Sequence, residues 1–203
     1  MVRARSAALP SNPASELLIS VDVETAGPNP SQYSLLSIGA CLVDEPDQKF
    51  YIELTPVGTL ITAEAFAVGG ISLEHASANG TEPAAAMGRF EEWIARMTPP
   101  GDSPVFVGFN AGFDWMFVCD YFERFLGRNP FGHSSLDVKS YYLGVAGGTW
   151  AQTSLRHLSP RYLGGRSLSH NALGDAQDQA ELFRAIRADA ESRRPQHKNR
   201  SEV

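Results

Sequence analysis

The segment Ile19-Ser20-Val21-Asp22-Val23-Glu24-Thr25 begins apolar and ends on two acids. Read as a strand, it turns Ile19, Val21 and Val23 one way and places Asp22 and Glu24 together on the other face. Two carboxylates so arranged can grip a cation. A bare Asp-x-Glu at a strand end is more often a pair of solvated acids. Here the strand opens the apolar core and is expected at the centre of a sheet, where acids need a reason. A third acid, Asp114, follows apolar Val105-Phe106-Val107-Gly108-Phe109 and the small turn Asn110-Ala111-Gly112. That order puts Asp114 in the first turn of a helix, where the helix dipole favours a carboxylate. An ordinary N-terminal helix acid fits the position equally well. In His170-Asn171-Ala172-Leu173-Gly174-Asp175 an imidazole precedes a helix whose first turn or so carries a fourth carboxylate. Taken alone, His170 is more simply a surface residue before a capped helix. Gly164, Gly165 and Ser167 give the segment before it freedom to swing a base over a substrate.

These residues must be positioned by the elements around them. Residues 17–23, 34–43 and 49–54 are short apolar or alternating runs separated by turn-forming residues, which predicts three successive antiparallel strands. Met87, Phe90, Ile94 and Met97 recur at helical steps and mark the buried stripe of a helix over 82–97. Residues 105–109 read as a buried strand, 113–126 as an aromatic-rich helix, 135–138 as a further strand, and 172–188 as a helix capped by Asn171. The class is α/β. Residues 1–15 and 191–203 read as flexible tails around one domain over 16–190.

Composition narrows the function. Seventeen basic against 23 acidic residues give a net charge of −6, which argues against a protein that coats long duplex nucleic acid. Carboxylates gathered around cations would add negative charge that the bound metals offset, so nucleic acid is not excluded. Cys41 and Cys119 lie in apolar segments without CxxC spacing and read as buried free thiols. No secretory signal or membrane-length apolar run is present, and a cytoplasmic location is expected.

In this order and on these elements, the three acidic segments resemble the DEDDh family of 3′-to-5′ exonucleases, which includes oligoribonuclease, ribonuclease T and bacterial proofreading subunits. The resemblance covers roughly residues 17–188. It extends to Leu35-Leu36-Ser37-Ile38-Gly39-Ala40, which is similar to the family's second strand. It implies a ribonuclease H-like fold: a mixed central sheet, three antiparallel strands first and then alternating helices and strands, flanked by helices. It implies further that Asp22, Glu24, Asp114 and Asp175 hold two divalent cations, Mg²⁺ or Mn²⁺. Asp22 would be shared between them, and His170 would be the general base on the attacking water. Such a pair of ions, about 4 Å apart, serves both ends of an in-line phosphodiester displacement. The expected activity is release of nucleoside 5′-monophosphates from the 3′ end of single-stranded RNA, DNA or short oligonucleotides.

The chain departs from many family members in reading Glu24-Thr25-Ala26-Gly27-Pro28 after the first strand, a region that meets the terminal nucleotide in the family. Thr25, Asn110, Phe113 and Arg166 are the candidates for substrate contact. Phe113 and Trp115 could stack a base, although core packing explains both. Between Ser140 and Gly174 there is no acid, yet Arg156, Arg161 and Arg166 occur there with Lys139 just before. This is either a phosphate path or a basic stretch that balances acids elsewhere. Asp178 is expected to be solvated, His157 has no partner at metal-ligand spacing, and Asp137 fits a strand-to-helix corner. A homodimer and a polymerase partner are both compatible with the family, as is a degenerate module that binds without cutting.

Overall fold

The computed structural model describes residues 15–63, 65, 72–167 and 169–193. In chain order its elements are β1 (Glu16–Thr25), β2 (Leu35–Leu42), β3 (Lys49–Glu53), α1 (Leu73–Asn79), α2 (Pro83–Met97), β4 (Ser103–Gly108), α3 (Gly112–Leu126), β5 (Ser135–Asp137), α4 (Val138–Ala146), α5 (Leu155–Tyr162) and α6 (Ala172–Ser192). A single turn of 3₁₀ helix, Trp150–Thr153, precedes α5. The strands form one sheet in the order β3-β2-β1-β4-β5, with β1 in the middle as its apolar start requires. β1, β2 and β3 pair antiparallel, whereas β4 and β5 join parallel to β1. This is the mixed ribonuclease H-like sheet that the motif order implies.

The alternation of β1 sorts the two faces. Ile19, Val21 and Val23 lie opposite Leu42, Ala40 and Ile38 and build an apolar face covered by α2 and α3. The predicted stripe of α2 is buried there at Met87, Phe90 and Ile94, with Phe117, Tyr121 and Phe122 of α3 beside it. On the other face Ser20, Asp22 and Glu24 lie opposite Cys41, Gly39 and Ser37. Small residues let α6 come close here. A β-carbon on Gly39 would sit 2.2–2.3 Å from backbone atoms of Ala172 and Leu173. Ser20 Oγ donates to the Ala176 carbonyl at 2.8 Å. That approach carries Asp175 down to the strand that bears Asp22.

Several expectations are revised. α6 runs on to Ser192, so Glu191 and Ser192 close the helix instead of starting a tail; Asp189 in its last turns is tied to Arg161, Tyr162 and Arg193. The acid-free 140–174 stretch, for which the sequence predicts no element before residue 172, contains most of α4, the 3₁₀ turn and α5. Cys41 is fully buried and its thiol is pushed up to about 12 by that burial, but Cys119 is only partly buried. Both are free. Among the described residues no helix is long and apolar enough to cross a membrane. The expected tails lie almost wholly outside the described residues.

Candidate metal centre and active site

β1 outlasts its parallel neighbour. Its pairing with β4 stops at Ser20 opposite Val107, while pairing with β2 continues to Thr25. The acid-bearing end of β1 therefore projects beside a gap left where β4 turns away into α3. Clefts at the carboxyl ends of parallel strands are where α/β sheets place their ligands. Asp114 enters this gap from the first turn of α3, only 5% exposed, and its Oδ1 accepts the Val23 N–H at 3.1 Å.

Asp175 reaches the same place from the first turn of α6. Its Oδ1 accepts the Ser169 N–H at 2.7 Å and the Ser169 hydroxyl at 2.9 Å, and its Oδ2 accepts the His170 N–H at 3.0 Å. Asp22, Glu24 and Asp175 each offer an oxygen, and these atoms lie within 4.8 Å of one another. Such crowding is costly without a counter-charge. Burial holds the Asp22 carboxyl well above the usual range, and the Asp114, Asp175 and Glu24 carboxylates push it further. Burial also raises Glu24, with Asp175 adding and His170 opposing. Asp114 is pushed up to about 7 by burial, against the pull of the Val23 N–H. An all-oxygen donor set of mutually repelling carboxylates suits a hard divalent cation.

The five predicted residues are thus brought together, with different standing. Asp22, Glu24 and Asp175 form the tight cluster. Asp114 abuts it with one oxygen committed to the β1 backbone. His170 is exposed, lies near enough to Glu24 for its charge to be felt there, and holds an unusual backbone conformation with φ of 56°. Left-handed backbone at a residue other than glycine is uncommon and costs on the order of 1–3 kcal/mol.

Gln179 was not singled out by sequence, yet it completes the site. It is 2% exposed, donates from Nε2 to Asp22 Oδ1, and accepts the Phe109 N–H at 2.8 Å. Its one amide thereby steadies Asp22 and the end of β4 together. The available signal was its position one helical turn beyond Asp175, on the same face of α6. Asp137 takes the corner role expected of it: Oδ1 caps α4 through Ser140 N–H at 2.7 Å, and Oδ2 accepts the Ala111 N–H at 2.9 Å.

The substrate candidates are less uniform. Asn110 is exposed at φ of 67° in the turn before α3. The Thr25 hydroxyl donates to the Gly27 carbonyl at 2.9 Å. Phe113 is partly buried against Phe117, with ring centroids 5.4 Å apart, and Trp115 meets Phe106 edge-on at 5.3 Å. Arg166 binds Asp178 at 2.8 Å and also Glu181, which favours the charge-balancing reading for that arginine. Asp178 is accordingly paired and not merely solvated. Among the described residues, the His157 ring makes only a marginal 3.5 Å contact with Ser154 Oγ.

Comparison with known proteins agrees with this geometry. A family model described as Exonuclease (RNase_T) matches residues 19–183. A protein of Escherichia coli named 3′-5′ DNA exonuclease Cap18 is 45% identical over 171 residues, covering 84% of this chain and 91% of that protein. Among solved structures, the zinc-bound complex of E. coli exonuclease I with single-stranded DNA superposes with a TM-score of 0.67 at 20% identity, over 86% of this chain and 41% of that one. The same enzyme with a dT13 oligonucleotide gives 0.65 at 20% identity, over 88% and 43%. This chain thus spans about two fifths of exonuclease I, and at such identity the likeness is one of fold.

Proposed function

Because this chain belongs to the RNase_T exonuclease family and is a 3′-5′ exonuclease of the DEDDh type, we propose that it removes nucleotides from the 3′ end of single-stranded DNA by metal-dependent hydrolysis. The single observation that carries the metal dependence is the meeting of Asp22, Glu24 and Asp175 oxygens within 4.8 Å at the end of the central strand. DNA is favoured over RNA by the 45% identical relative, whose name specifies DNA.

Two divalent cations, Mg²⁺ or Mn²⁺, would supply the positive charge that steadies the attacking and departing oxygens. Asp22 is the carboxylate on which Asp114, Asp175 and Glu24 all act, which makes it the one suited to be shared by both ions. Glu24, Asp175 and Asp114 would supply the remaining oxygen ligands. Gln179 fixes Asp22 by donating to it, leaving the rest of the carboxylate for ligation. His170 accepts the proton of the attacking water as general base, a role an imidazole fills near neutral pH. The bond from phosphorus to the 3′ oxygen of the preceding nucleotide breaks, that oxygen takes a proton, and a nucleoside 5′-monophosphate leaves.

The test is degradation of 5′-labelled single-stranded DNA and RNA by the purified protein, with Mg²⁺ or with EDTA. We expect a ladder shortening from the 3′ end, faster on DNA, abolished by EDTA and nearly abolished by Asp22→Ala or Asp175→Ala. Full activity in either variant would remove the metal assignment, and cleavage at internal positions would remove the exonuclease reading.

A further inference from the structure

Trp150 is 53% exposed, the large apolar side chain of the described chain that stands out beside a cation: Lys139 Nζ lies 4.4 Å from its ring centroid. The ring is on a stiff support. Trp150 begins the 3₁₀ turn, in which the Thr153 hydroxyl, itself buried, donates to the Trp150 carbonyl at 2.8 Å. The Thr149 N–H donates to Gln152 Oε1 at 2.8 Å and locks the residue before it. A large aromatic half exposed to water, with no aromatic partner among the described residues, is an unfavourable arrangement that binding would relieve.

Its surroundings select the partner. Lys139 also approaches the Phe109 ring at 5.8 Å, and the Phe109 N–H is the one held by Gln179, which in turn holds Asp22. The helix carrying Lys139 is capped by Asp137, whose second oxygen grips the turn before Asp114. Trp150 and Lys139 are therefore fastened to the catalytic turn through a short series of contacts. Beyond them an open cleft of about 310 Å³ is lined by Tyr142, Gly147, Gly148, His157 and Arg161. No acid occurs from Ser140 to Gly174, and Lys139 and Arg156 make no ion pair among the described residues. An aromatic face with neighbouring cations is what a polyanion of flat bases requires.

Resting on the exonuclease reading, we propose that Trp150 and Lys139 form a stacking platform for a base of the single strand upstream of the scissile 3′ nucleotide. The indole stacks the base, and Lys139, packed on the ring, neutralises the adjoining phosphate. Arg161 is engaged by Asp189, so the cation free to serve is Lys139, with Arg156 further along. The platform would make catalysis depend on substrate length, because a substrate too short to reach it forgoes the contact.

The experiment uses the full chain carrying Asp22→Asn, which prevents turnover, and a fluorescein-labelled twelve-residue oligodeoxythymidylate. Stacking on an aromatic is lost by alanine substitution at a cost that corresponds to roughly tenfold weaker binding per base. Trp150→Ala should therefore raise the Kd by about that factor in anisotropy, Trp150→Phe should recover most of the loss, and Lys139→Ala should weaken binding and flatten its salt dependence. An unlabelled oligonucleotide should quench the indole emission of the protein, and that quench should vanish in Trp150→Phe, since Trp93 is buried and Trp115 is packed on Phe106. In the active protein, Trp150→Ala should lower the ratio of kcat/KM on the twelve-residue substrate to that on a trinucleotide. Unchanged Kd and persistent quenching in the variants overturn the proposal. So does a Trp150→Ala protein that loses a dimer but binds DNA as before, which would assign the ring to self-association. Binding and quenching without metal-dependent cleavage would overturn the exonuclease reading and leave this one standing; cleavage without quenching would do the reverse.

Discussion

Replacing Gln179 with leucine isolates the residue that links Asp22 to the end of β4. The two side chains are close in volume, so little cavity is made, but both hydrogen bonds of the amide disappear. The Phe109 N–H loses its acceptor, and an unpaired donor away from water costs about 1–3 kcal/mol. Asp22 loses a donor to its carboxylate, a bond to a charged group that contributes about 1.5–3 kcal/mol. Since these energies are not strictly additive, we expect a net loss of about 2–4 kcal/mol for the metal-free protein. For a chain of this size that is a fall in Tm of roughly 5–15 °C. The functional effect is separable from the stability effect. With Asp22 no longer oriented, apparent Mg²⁺ affinity should weaken about 10–100-fold, the usual consequence of losing a group that positions a ligand. Because the Gln179 donor lowers the Asp22 pKa, its removal raises that pKa further, and the acid limb of the rate profile should move to higher pH. Thermal unfolding in EDTA and a Mg²⁺ titration of initial rate at several pH values measure both. A variant that loses Tm but keeps wild-type Mg²⁺ dependence and pH profile would show that Gln179 only supports the fold, and the reasoning would fail.

Gly39→Ala should drive α6 off the sheet, because the added carbon meets backbone at 2.2–2.3 Å and cannot be accommodated by a side-chain turn; Tm and activity should fall together, with activity down at least tenfold, and wild-type turnover would refute the close approach. The raised carboxyls make the metal-free fold bind more protons than the unfolded chain between the ordinary carboxyl range and about pH 7, so its stability falls as pH rises through that window. Calorimetry should accordingly show Mg²⁺ or Mn²⁺ raising Tm more at pH 8 than at pH 5, and Asp114→Asn should shrink the difference; equal shifts at both pH values would count against it. His170→Gly relieves the positive φ and should leave stability unchanged or raise it by up to about 1 kcal/mol. Its turnover should nevertheless drop about a hundredfold or more with the pH profile altered, and a clear loss of stability would show the imidazole to be structural.

The parts of this molecule that local periodicity controls were legible in the sequence. Alternation along 19–25 assigned Asp22 and Glu24 to one face, and that face is the one on which α6 lies. The stripe of α2 and the Asn171 cap of α6, which accepts the Gly174 N–H at 3.0 Å, followed from spacing and residue type. What escaped depends on contacts between distant segments. Gln179 reads locally as a polar helix residue, and only the turn of β4 at Phe109 gives its amide a task. α4 and α5 are short and interrupted by Gly144, Gly147, Gly148 and Pro160, so no periodic run announces them. Arg166 read as a candidate substrate contact until the fold set Asp178 and Glu181 against it. The left-handed backbone of His170 arises from its own N–H being held by Asp175, which spacing alone does not encode.

Acids of this site, and Asp137 at the neighbouring corner, also act as clamps on backbone that belongs to other elements. Asp114 of α3 holds β1 through Val23, Asp175 of α6 holds the loop through Ser169 and His170, and Asp137 holds the turn at Ala111. For Asp114 the bond from the Val23 N–H favours the charged form, against the burial that raises it. Asp175 also ties His170 to the carboxylate cluster. His170 cannot shift its backbone without releasing Asp175 Oδ2, so tightening of Asp175 around a cation must be felt at the imidazole. Under the proposed roles, metal binding and placement of the base would be coupled through one carboxylate, and a substitution at Asp175 should disturb both where one at Glu24 disturbs chiefly the first.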